Sequence, residues 1–131
     1  MYVIMNLFCM LLLMILCHII DDFVLQPICL SKLKQKSWWE ENYPDKKYKE
    51  DYKVALFIHS LSWSIMIMLP FIFFGNVPWI VMFVFGCINC LIHYRVDDAK
   101  ANQMKLNLKE DQTAHFLQII ITFFVFTAFS L

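Results

Sequence analysis

Three histidine–aspartate pairs in this chain share one spacing: His18 with Asp22, His93 with Asp97, and Asp111 with His115. Residues four apart on an α-helix lie one turn apart on the same face, so each pair can aim an imidazole and a carboxylate at a common point. A fourth histidine, His59, has no such partner. Imidazole nitrogen and carboxylate oxygen are donors suited to divalent zinc, manganese or iron. His18, Asp22, His59, His93, Asp97, Asp111 and His115 are therefore the candidate metal ligands, enough for one or two divalent ions (Zn, Mn or Fe). Asp22, Asp97 and Asp111 are also the candidate catalytic carboxylates, because one that does not bridge metals can act as a general base. The plainer alternative is a hydrogen-bonded His–Asp network that locks helices together, with a proton relay as its variant. Three pairs plus a fourth histidine, with no histidine outside the set, favour the metal.

The segments that must position these residues are hydrophobic. Apolar residues make up 60% of the 131, with only two glycines and four prolines, against about 45–50% apolar in a soluble domain. Four apolar stretches, about 3–26, 54–74, 77–95 and 112–131, each approach the ~20 residues that cross a bilayer. They predict one domain: an all-α, integral membrane four-helix bundle. Pro27 is expected to end the first helix. Gly75-Asn76 reads as a tight turn, flanked by Pro70 and Pro78 where membrane helices tolerate proline. The connections 27–53 and 96–111 are polar. Trp38 and Trp39 in the first fit a segment lying on the membrane surface, with a solvated loop as the alternative. The apolar N-terminus lacks a basic flank and a small-residue cleavage site, and reads as a retained helix.

All eleven lysines and arginines lie in those two connections or at their edges. The positive-inside rule then puts both connections in the cytoplasm and both termini outside, as in a multi-pass protein of the bacterial inner membrane. With that topology, His18/Asp22 and His93/Asp97 fall near the inner ends of helices running inward. His59 and Asp111/His115 fall near the inner starts of helices running outward. All seven residues share one layer. An ionisable side chain near the bilayer centre costs at least about 2.5–3.5 kcal/mol, so seven in one layer need mutual compensation, which a cation supplies.

Other polar residues follow the same faces. Gln26 extends the stripe His18–Asp22–Gln26, and Lys100 is three residues after Asp97; both are candidate substrate-binding groups. Asp21 and Asp98 are off the four-residue spacing and are expected to be interfacial acids rather than ligands. Ser60, Ser62 and Ser64 read as helix-packing serines. Cys87 and Cys90 form a CxxC on an apolar helix with no second pair, which favours buried small hydrophobes over a redox or metal motif. HIIDD in the first helix and HYRVDD in the third hint at a duplicated two-helix hairpin.

Taken together, His18-Ile-Ile-Asp-Asp22-Phe-Val-Leu-Gln26, His59, His93-x3-Asp97-x2-Lys100 and Asp111-Gln112-x2-His115 resemble the bacterial and phage membrane family DUF3307, across all four helices. The set is similar, more distantly, to predicted membrane-bound metal-dependent hydrolases, a resemblance that implies hydrolytic chemistry. The long Lys- and Trp-bearing first connection departs from typical DUF3307 members.

The expected function is thus a metal-dependent hydrolase at the cytoplasmic membrane face, acting on a phosphoester or lipid-linked molecule. A metal-ion or proton transporter is a second possibility, although the outer helix halves are almost purely apolar. A phage-type membrane interaction protein with a structural metal is a third, and an oxygen-activating di-iron enzyme a fourth. The lipid bilayer is the expected partner. Zero net charge gives no reason to expect nucleic acid.

Overall fold

The computed structural model describes residues 2–26 and 28–130. In chain order it consists of α1 (Tyr2–Ile19), a π-helical turn (Ile20–Val24), α2 (Ile28–Leu33), α3 (Lys36–Asn42), a 3-10 turn (Lys46–Tyr48), α4 (Asp51–Phe74), α5 (Trp79–Ala101) and α6 (Leu108–Ser130). No strand occurs among the described residues. Four stretches are long and apolar enough to cross a membrane: Asn6–Val24, Lys46–Phe74, Trp79–Ala101 and Leu108–Ser130. The expected helix end at Pro27 lies outside the described residues.

The helices outrun their apolar stretches. α4 starts at Asp51 rather than 54, α5 continues to Ala101 rather than 95, and α6 starts at Leu108 rather than 112. Hydropathy marks only the part of a helix that avoids water; caps decide where the backbone stops. At the start of α6, the Asn107 side chain accepts from the Glu110 amide at 3.0 Å, and the Glu110 carboxylate accepts from the Asn107 amide at 2.9 Å. This reciprocal capping box satisfies amides that the first turn leaves open. Past the end of α5, Met104 takes a left-handed φ of 53°. Asp97, Lys100 and Asp111 therefore stand on helices, where their directions are fixed.

α4 packs against α1 and α5, and α6 packs against α5 and α1, so the four long helices form a ring of neighbours. Trp63, Ile67 and Phe71 of α4, four residues apart, meet Met10 and Met14 of α1 and Ile119 and Phe126 of α6 in the core. Phe126 stands edge-on to Phe71 at 5.3 Å and to Phe85 at 5.8 Å. Large side chains such as Phe8, Phe73, Phe83 and Phe124 face outward and are exposed. In lipid they would be solvated, so packing and polar contacts rather than burial must hold such helices together. Gly86 allows one close approach: a Cβ there would meet Met68 Cε at 3.1 Å, and Ser64 donates to the Gly86 carbonyl at 2.7 Å.

α2 and α3 form a strap tied to the end of α5. Asn102 accepts from the Lys36 amide at 2.7 Å and donates to the Lys34 carbonyl at 3.1 Å and to Asp98 Oδ1 at 2.9 Å. One amide side chain thus pins the strap over the end of the ring that bears the polar connections.

Candidate metal centre

Each of the four long helices sends a histidine into the same buried place. His18, His59, His93 and His115 are all essentially inaccessible to solvent, and Asp21, Asp97 and Asp111 are buried with them. Asp22 is slightly more open, with 8% of its side chain exposed.

Two groups have the spacing of metal ligands: Asp22, His59 and His93, and His93, Asp97 and His115, with the donor atoms of each within 4.8 Å of one another. His59 Nε2 lies 3.2 Å from Asp22 Oδ1 and 3.1 Å from His93 Nε2. Asp97 Oδ1 lies 3.6 Å from His93 Nε2 and 3.5 Å from His115 Nε2, and His115 Nε2 is 3.5 Å from Asp111 Oδ1. Tetrahedral bonds of about 2.0–2.1 Å would put neighbouring donor atoms about 3.3–3.4 Å apart. The observed separations sit around that value.

His115 Nε2 and Asp111 Oδ1 are buried and have no hydrogen-bond partner. Buried polar atoms are nearly always paired, so two orphans facing one point ask for an explanation, and an ion is one of the few. The charges point the same way. The carboxylates of Asp21, Asp22, Asp97 and Asp111 meet only two ammonium groups, Lys34 on Asp97 Oδ2 and Lys100 on Asp111 Oδ2, each at 2.6 Å. Two negative charges remain, to be balanced by one divalent cation or by protons on the imidazoles.

The outer Oδ2 oxygens are held by lysine and glutamine side chains, although Asp97 Oδ2 also stands 3.5 Å from His59 Nε2 and Asp22 Oδ2 3.7 Å from His18 Nδ1. Lys34 holds Asp97 Oδ2, Lys100 holds Asp111 Oδ2, and Gln112 Nε2 donates to Asp22 Oδ2 and Asp111 Oδ2 at 3.1 Å each. The inner oxygens, Asp22 Oδ1, Asp97 Oδ1 and Asp111 Oδ1, point at imidazole nitrogens. Groups around a ligand that fix its orientation in this way are a usual feature of metal sites.

The structure brings all seven candidate ligands together, but Asp111, 3.5 Å from His115 Nε2, and His18 join neither group. His18 Nδ1 accepts from Trp63 Nε1 at 2.8 Å and its Nε2 faces Gln112 Oε1 at 3.1 Å, so both nitrogens are engaged. Gln26 and Lys100 line a cavity of about 720 Å³, together with Lys34, Asp22, Asp97 and Asp111 of the cluster. With its amide turned to satisfy both neighbours, Gln26 donates to the Asp22 carbonyl and accepts from Lys34 Nζ at 2.8 Å. Cys90 is buried on α5 but joins neither group, and Cys87 is exposed.

Asp21 corrects the sequence reading. It is buried, accepts from Ser62 at 2.6 Å through Oδ1, and places Oδ2 3.7 Å from His59 Nδ1. The cause is the π-helical turn, where the Leu25 amide reaches back five residues to the Ile20 carbonyl at 2.7 Å. A wider turn rotates successive residues by less than 100°, so Asp21 and Asp22 both face inward; such bulges are frequent at functional sites. Asp98 stays on regular helix and bonds Asn102 and Gln103, away from the cluster. Ser62 is thereby a site residue, whereas Ser60 and Ser64 bond backbone carbonyls as packing serines do.

Trp63, Lys34 and Gln112 also went unassigned from sequence. Trp63 follows His59 by four residues and stacks on His93 at 4.3 Å, so helical periodicity carried a signal for it. Gln112 adjoins Asp111. Nothing in the sequence separates Lys34 from the six other lysines of the first connection.

A family model described as a protein of unknown function, DUF3307, matches residues 10–131. No curated protein and no solved structure matches the chain.

Proposed function

This chain belongs to the DUF3307 family, and we propose that it is a membrane-embedded, metal-dependent hydrolase whose site opens at the cytoplasmic face of a bacterial inner membrane. The four long helices would form a transmembrane bundle with both termini outside. That orientation is supported by all eleven basic residues falling in or beside the connections at the site's end.

The observation that carries the metal is the unpartnered pair His115 Nε2 and Asp111 Oδ1, buried beside His93 and Asp97. A proton on His115 Nε2 could pair the two only across the 3.5 Å that separates them, longer than a good N–H···O hydrogen bond. A network held by protons alone would also have to keep at least one of His93 and His115 neutral, because their rings stack at 4.1 Å and would repel as two imidazolium ions. One or two divalent ions (Zn, Mn or Fe) would suit the donors: His93 could serve one ion only, with Asp22 and His59 or with Asp97 and His115, and Asp111 lies beside His115.

A bound divalent ion supplies hydrolysis with a water made nucleophilic near neutral pH and with stabilisation of the developing oxyanion. The chain's own groups then have distinct tasks. Asp22, Asp97 or Asp111 accepts the water's proton through whichever inner oxygen is left uncoordinated. Lys100, with 36% of its side chain exposed, and Gln26 meet the substrate in the cavity. Phe23, Met104 and Leu108 also line the cavity and are exposed. This apolar rim beside lysines suits a phosphoester on a lipid-linked molecule.

Transport is the weaker reading. Below the cluster, Gln118 and Thr122 each bond Asn89, and beyond them Met10, Ile67, Phe71, Val77 and Phe126 close the core with apolar side chains. An ion crossing there would shed its ligands.

The test is to purify the protein in detergent, measure bound metal, and assay phosphomonoester and phosphodiester hydrolysis with added Mn²⁺ or Zn²⁺. Metal binding and hydrolysis, both lost in His93→Ala, would support the proposal. Binding without hydrolysis of either ester class would replace it with a structural metal, and absence of binding would overturn the metal centre itself.

A further inference from the structure

Trp63, His18 and Gln112 join α4, α1 and α6 through successive hydrogen bonds, and the chemistry of the first group sets the direction of all the others. An indole N–H can only donate. Trp63 Nε1 donates to His18 Nδ1 at 2.8 Å, so Nδ1 must present its lone pair and neutral His18 carries its proton on Nε2. That nitrogen faces Gln112 Oε1 at 3.1 Å, and only donation from Nε2–H makes the contact a hydrogen bond. The Gln112 amide is thereby oriented with its NH₂ toward the site, where it donates to Asp22 Oδ2 and Asp111 Oδ2 at 3.1 Å each.

We infer that Trp63–His18–Gln112 is a one-way hydrogen-bond chain that clamps the outer oxygens of Asp22 and Asp111 and so presents their inner oxygens to the metal. On this assignment, which rests on the metal-centre reading above, His18 is a positioning residue and not a ligand. Asp22 Oδ1 is left facing His59 Nε2 at 3.2 Å, and Asp111 Oδ1 facing His115 Nε2 at 3.5 Å. The two carboxylates stand on helices at opposite ends of the chain, and a single amide fixes both. Trp63 contributes twice, because its ring also stacks on His93 at 4.3 Å.

The chain can be tested without any metal. In full-length protein labelled with ¹⁵N-histidine, the ring nitrogens of His18 should report an unprotonated Nδ1 and a protonated Nε2, and Trp63→Phe should abolish this fixed tautomer. Co²⁺ then serves as a spectroscopic probe of the centre. Gln112→Glu keeps an acceptor for His18 but replaces the NH₂ donor with an oxygen that repels both aspartates. Because Gln112 is only half-buried, this variant should fold, and it should bind Co²⁺ about 10–100-fold more weakly, the usual loss for a group that orients ligands. Protonation of His18 at Nδ1, direct coordination of His18 to Co²⁺, or unchanged affinity in Gln112→Glu would each overturn the inference. Failure of the unaltered protein to bind Co²⁺ would instead overturn the metal centre and the clamp's purpose with it, while the tautomer measurement still decides whether the chain exists.

Discussion

His93 and His115 lie face to face, their ring centroids 4.1 Å apart and their planes 24° from parallel, and both direct Nε2 at the same oxygen, Asp97 Oδ1. Two imidazoles and one carboxylate oxygen converge at one buried point. Removing any of the three should therefore remove the same function. His93→Ala, Asp97→Asn and His115→Ala are each expected to lose most bound metal, measured by elemental analysis of protein purified under identical conditions. Retention of full metal content in any one would break the assignment of that residue.

The π-helical turn predicts an unequal ranking among four aspartates. Asp22→Asn and Asp97→Asn alter candidate ligands and should cost the most Co²⁺ affinity. Asp21 touches His59 Nδ1 rather than the inner face of the site, so Asp21→Asn should weaken binding about 10–100-fold, as loss of a ligand-orienting partner does. Asp98→Asn should lower affinity least of the four, because Asp98 bonds Asn102 and Gln103 rather than the cluster. Titration of the four variants gives the order; equal behaviour of Asp21 and Asp98 would mean that the wide turn has no functional consequence.

Lys34 descends from the strap to a buried ion pair with Asp97, with side-chain exposures of 9% and 7%. Breaking a buried pair leaves one charge without compensation and typically costs about 3–5 kcal/mol. Lys34→Met should therefore lower the unfolding midpoint in detergent markedly. The double variant Lys34→Met/Asp97→Asn should recover part of that loss, because neither charge remains. A double variant less stable than Lys34→Met would show that the lysine acts through packing alone.

Topology is open to direct labelling. In a variant whose native cysteines are replaced, cysteines introduced at Tyr2 and Leu131 should react with a membrane-impermeant maleimide on intact cells. One introduced at Lys46, in the first polar connection, should react only after lysis. The reverse pattern would place the candidate metal centre at the outer face.

The sequence by itself determined the four helices long and apolar enough to cross a membrane, because ~20-residue apolar stretches and the segregation of eleven cations are read from residue order alone. It also identified the three His–Asp pairs, since a spacing of four on a regular helix fixes a shared face whatever the helix packs against. It could not show that Asp21 turns inward, because hydropathy does not reveal a π-helical turn and the rule of four assumes regular geometry. Nor could it separate His18 from the other histidines: that distinction depends on Trp63 and Gln112, which arrive from α4 and α6. Lys34 lay among similar lysines until the strap docked on Asn102 and placed its ammonium group on Asp97. Periodicity along one helix is local information, whereas the partner of a buried polar atom is chosen by whichever element packs opposite it, and only the tertiary structure decides that.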